Sequence, residues 1–174
     1  MMRMIASLAA LCLSAPALAA EPCRDAPLPP EPWRSWNQSG METAGGEAAS
    51  APRLILGKPV IATLRPSAQV QYVVKPERPW PKSHGGLFSL ALKAPARVGI
   101  GLSGSAWVDI VTDRALVASA AHGHGPECSG IRKIVWFDLP AGVHLVQLSG
   151  SAESRIRIMA ADALANQPLP PTGN

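Results

Sequence analysis

His122-Gly123-His124 is the pair of residues whose type and spacing come closest to chemistry. In an extended chain, side chains two apart lie on one face. Both imidazoles could then reach a single metal ion at bonds of about 2 Å. His84, in the glycine-rich stretch Ser83-His84-Gly85-Gly86, offers a third ligand, and Glu127, Asp109 or a reduced Cys128 could complete the set. Imidazole donors suit zinc or copper. A lone His-x-His is a weak signal, and the plainer reading is a Gly/His-rich surface loop whose histidines only form hydrogen bonds.

Catalytic signatures are absent. There is no Gly-x-Ser-x-Gly elbow. Ser129, His122 and Asp109 have no spacing that marks a triad, and Asp109 with Asp138 has none that marks a glycosidase pair. No catalytic residue is therefore assigned. Aromatic stacking is the third option. Trp80, Trp107 and Trp136 lie in or beside expected strands, where an indole either seals a core or offers a flat face to a ligand such as a glycan. Trp107 and Trp136 are the ligand-binding candidates.

The compartment follows from the beginning of the chain and from its cysteines. One charge at Arg3, an apolar run from Ile5 to Leu13 and the small residues Ala17-Leu18-Ala19-Ala20 have the order of a cleavable signal peptide over residues 1–20. That run is too short to span a bilayer, and no later segment is long and apolar enough to be a transmembrane helix. Export of the mature chain to the periplasm or the medium is the expectation. Cleavage would leave Cys23 and Cys128, and in an oxidising compartment two cysteines read first as a disulfide. The formal net charge of +4 is spread along the chain. No basic cluster is present that would follow a phosphate backbone, so nucleic-acid binding is not expected.

Residues 21–53 form a proline-rich arm, since proline removes backbone donors and fixes φ. Trp33 and Trp36 are placed to pin it to the domain. From residue 54 the chain reads as short strands between turn residues, at 54–64, 69–74, 86–92, 97–102, 106–112, 131–139, 143–149 and 154–159. Val98, Ile100 and Leu102 alternate with Gly99 and Gly101, and Arg155 and Arg157 alternate with Ile156 and Ile158. Period-two alternation with one wet face marks an antiparallel sheet. Eight such strands over residues 54–160 predict an all-β fold, an antiparallel β-sandwich of jelly-roll type. Residues 161–174, which end in Pro168-Leu169-Pro170-Pro171-Thr172-Gly173-Asn174, are expected to form a disordered tail.

The stretches Val98–Gly104, Val108–Val111, Leu139–Gly150 and Ser154–Met159, with the pattern Leu-Pro-Ala-Gly followed by Val-Gln-Leu-Ser-Gly, resemble the bacterial pre-peptidase C-terminal domain. That resemblance covers roughly residues 57–159. It implies a small jelly-roll accessory module of the kind attached to secreted hydrolases, here without an attached catalytic domain. The stretches around Ser83–Phe88 and His122–Lys133 are also similar to small exported bacterial proteins, some of which carry the label homogentisate 1,2-dioxygenase. The His and Glu set with which that enzyme binds iron does not map onto this chain. The sequence thus points to a non-enzymatic, disulfide-tied envelope module that binds a partner protein, a glycan or a small ligand through its loops. The alternative is a periplasmic zinc- or copper-binding protein that uses His84, His122 and His124.

Overall fold

The computed structural model describes Cys23 and residues 27–38, 40–77 and 81–163. The expected signal peptide, Trp80 and residues 164–174 of the expected tail lie outside these. Twelve strands run in chain order: β1 (Met41–Thr43), β2 (Arg53–Leu54), β3 (Val60–Thr63), β4 (Arg65–Pro66), β5 (His84–Leu92), β6 (Ala96–Leu102), β7 (Trp107–Thr112), β8 (Ala115–Val117), β9 (Ala121–Gly123), β10 (Lys133–Leu139), β11 (Gly142–Ser151) and β12 (Arg155–Asp162). Among the described residues the only helical segments are two 3₁₀ turns, Ala48–Ser50 and Ser67–Gln69.

The strands form two sheets, ordered β1-β3-β12-β6-β10-β9 and β2-β5-β11-β7-β8, with β4 also paired to β5. All ladders are antiparallel except the short edge pairs β1 with β3 and β2 with β5. Eight strands make the frame, β3-β12-β6-β10 facing β5-β11-β7-β8, and this interleaving is that of a jelly roll. The four others extend its edges.

Alternation in the sequence becomes burial. Val98, Ile100 and Leu102 of β6, Val135 and Phe137 of β10, and Ile156 and Ile158 of β12 face Phe88, Leu90, Val108, Ile110, Val146 and Leu148 of the second sheet. Each such side chain contributes roughly 1.5–3 kcal/mol when taken out of water. The exposed, bidentate Arg97–Asp138 pair across β6 and β10 is in high dielectric and adds little by comparison.

Both outer faces are covered as well. On the first sheet Gly99 and Gly101 leave a flat strip where a Cβ would meet Trp136 at 2.7 Å and Trp33 at 2.6 Å. The indoles of Trp33, Trp36 and Trp136 lie there with Ile131, Ile134, Met159 and Ala161 as a second core. The arm is fastened by Ser35 Oγ, which donates to the Gly57 carbonyl at 2.6 Å, and by a disulfide between Cys23 and Cys128.

On the second sheet, residues 70–74 run across the outer face and are not the strand that their Val-x-Tyr-x-Val pattern predicts. The fully buried Gln147 takes the place of a neighbouring strand: its Oε1 accepts from the Val73 and Val74 amides and its Nε2 donates to the Val74 carbonyl. Tyr72 Oη donates to the Leu148 carbonyl at 3.2 Å. A side-chain amide that satisfies backbone groups in this way avoids an unpaired buried polar atom.

The expected strand at 54–64 divides into β2 and β3 around Gly57, whose φ is +73°. Strand β1 lies within the stretch expected to be irregular, and β12 continues two residues into the expected tail. These covers leave Trp107 of β7 among the large apolar side chains still exposed.

Candidate functional site

At the rim where β7 and β8 of one sheet lie near β10 and β9 of the other, a groove of about 390 Å³ opens. Trp107, His122, His124, Arg132 and Lys133 line it, together with Ser105, Ala106 and Gly150. Four stretches of the chain, 105–107, 122–124, 132–133 and 150, meet here, the middle two from one sheet and the outer two from the other. Gly150, at φ +71°, sits in the register shift of β11 between Leu148 and Ser151, where a bulge bends the strand end beside the groove.

Trp107 is the anchor. Its side chain is on the outer side of β7 and is 50% exposed, an unusual position for so large an apolar group. Its orientation is nonetheless set. The indole Nε1 donates to Asp109 Oδ1 at 2.9 Å. Lys133 Nζ stands 5.4 Å from the ring centroid and donates to the Ala106 carbonyl at 3.0 Å. A cation over the face of an indole is attracted by the ring quadrupole. Nothing in the local residue pattern marks Lys133 for this part. Asp109, considered as a metal ligand or catalytic acid, instead holds the Trp107 ring.

Partial burial leaves its mark on both charged groups. Burial raises the Asp109 carboxyl above its ordinary range, and Glu77 adds to this, while the Trp107 hydrogen bond and Lys133 act against it. Burial lowers the Lys133 ammonium, and Asp109 opposes that shift. An acid whose pKa is higher in the fold than in the unfolded chain stabilises the fold most below the ordinary carboxylate range. That contribution is lost as pH rises through the raised value. Asp109→Asn keeps an oxygen for Trp107 and removes the titration. Thermal melts between about pH 4 and pH 7 should then show a smaller loss of stability with rising pH for the variant than for the wild type. Parallel curves would contradict the burial argument.

The candidate histidines divide between two places. His122 is exposed on the edge strand β9, opposite Val135 of β10. His124 follows it, and its Nδ1 is 3.2 Å from the Arg132 carbonyl. A carbonyl only accepts, so Nδ1 carries a proton. His84 is in the other sheet, at the start of β5 between Pro66 and Ser151, and does not line the groove. Its Nδ1 is buried without a hydrogen-bond partner among the described residues. Among the described residues no group of three or more His, Cys, Asp or Glu side chains is placed to hold a metal ion. Cys128 is held in the disulfide and offers no thiolate. His84 and the His122–His124 pair of the alternative metal reading thus belong to opposite sheets, and the groove brings together only the latter two.

Of the two roles open to Trp136, sealing a core or meeting a ligand, its packing is that of the first. Its ring packs edge-on against Trp33, with centroids 5.9 Å apart, over the Gly99 strip. Packing uses the surface that a ligand would need. His144, not singled out from the sequence, is buried: Nε2 donates to the Pro140 carbonyl and Nδ1 accepts from Thr112 Oγ1. It ties the β10–β11 turn to the end of β7.

No family model matches the chain, and no curated protein matches it.

Proposed function

We propose that this chain is an exported, non-enzymatic binding module of the bacterial envelope, and that a saccharide binds in the rim groove against Trp107. The observation that carries this reading is the half-exposed indole, held by Asp109 through its nitrogen and by Lys133 at its face. Aromatic rings left exposed on a rigid strand lose little freedom on binding, and they favour the apolar face of a ring-shaped ligand. The groove volume suits a ligand of one or two sugar rings. Export to the periplasm or beyond rests on the signal-like residues 1–20 and on the Cys23–Cys128 disulfide, which fits an oxidising compartment. Among the described residues no helix is long and apolar enough to cross a membrane. The resemblance to pre-peptidase C-terminal modules belongs to the same reading, as an accessory domain that binds and does not cleave.

Fluorescence titration with a panel of neutral and acidic oligosaccharides tests it. Binding should change the emission of the exposed indole, and Trp107→Ala should abolish the response while leaving the melting temperature close to that of the wild type. A panel without any response would remove the saccharide reading, and an unchanged response in Trp107→Ala would remove the groove.

A further inference from the structure

Resting on the Trp107 reading, the character of the groove goes one step further. We infer that the saccharide it takes is anionic, carrying a carboxylate, sulfate or phosphate group. The residues lining the groove include Arg132, Lys133, His122 and His124 and no carboxylate. The nearest acid on the same strand, Asp109, has one carboxylate oxygen engaged by the Trp107 indole and does not line the groove. Lys133 donates one of its three ammonium hydrogens to Ala106, and two remain for a ligand beside the ring. His124 is held by the Arg132 carbonyl, and both residues line the same groove.

This contrasts with the larger groove of about 760 Å³ under the arm, where Glu31 and Asp162 stand beside Arg34. Mixed charge there favours no sign of ligand. At the Trp107 groove a neutral sugar would leave Arg132 to water and Lys133 to the nearby Asp109, whereas an acidic one would pair with both cations in a partly desolvated setting, where charge-assisted hydrogen bonds are strongest. An indole face next to a fixed ammonium presents a ring and its acid group with their two partners side by side.

The test compares wild-type binding of a neutral glucose oligomer with binding of uronate, sulfated and phosphorylated oligomers of similar length, at low and at high salt. At least one acidic oligomer should bind about tenfold more tightly than the neutral one, and added salt should erase that difference. Arg132→Gln, at an exposed position, and Lys133→Met should each reduce the preference, while Lys133→Arg should restore most of it. The acidic oligomer that wins identifies the group. Equal affinity for neutral and acidic oligomers would overturn the anionic inference and leave the Trp107 groove standing. Failure of every oligomer to bind would overturn both.

Discussion

Trp36→Ala is expected to cost about 3–5 kcal/mol, as much as any single truncation in the chain. The side chain is 1% exposed. Its ring meets Trp33 edge-on at 6.4 Å, and the Arg157 guanidinium lies 5.8 Å from its centroid. Arginine bound on that face cannot follow a methyl group inward, so the cavity would stay open or the arm would lift. In urea the midpoint should fall while the slope stays near that of the wild type, since the sandwich core is untouched. A loss below about 1 kcal/mol would show that the arm contributes little to the fold.

The second large effect belongs to the disulfide. Cys23 and Cys128 are 105 residues apart. In the chain-entropy model, closing a loop of that size stabilises the fold by roughly 4–5 kcal/mol. The Cys23→Ser, Cys128→Ser double variant should therefore melt about 10 °C or more below the oxidised wild type. The two effects should also be coupled. Cys23 starts the arm that Trp36 anchors, and Cys128 lies two residues before Gly130, where a Cβ would stand 3.7 Å from the Trp36 indole nitrogen. Trp36→Ala in the cysteine-free background should cost less than in the oxidised protein. Strict additivity would mean that the disulfide and the indole hold separate parts of the structure.

How far the sequence could be read depends on where each feature keeps its partners. Strands β6, β10 and β12 announce themselves because one wet or glycine-lined face alternates with one apolar face over several residues. The glycines at 99 and 101 even mark the strip on which Trp33 and Trp136 lie. Residues 70–74 mislead for the opposite reason. Val70, Tyr72 and Val74 alternate as a strand would, yet the backbone of Val73 and Val74 pairs with a side chain about 73 residues away, Gln147, and no local pattern encodes that. Strands β8 and β9 are three residues each, too short to show a period. The groove was legible only in pieces. Trp107 and the His-x-His pair could be picked out singly. Their meeting depends on β7 and β9 lying in different sheets, and Lys133 and Asp109 take their roles from that meeting. His84 looked like a partner for the other histidines because glycines surround all three, but loop composition carries no information about which sheet a loop serves.

The claim that matters most is that ligand meets this chain at Trp107. The chain has five tryptophans, and each indole N–H gives its own signal in a nitrogen-resolved NMR spectrum. Trp107→Phe identifies the one donated to Asp109. Addition of the tightest-binding acidic oligosaccharide should shift that signal, and those of Trp33, Trp36 and Trp136, locked in the second core, should stay in place. A shift among those three with Trp107 unmoved would place the binding surface elsewhere and contradict the account.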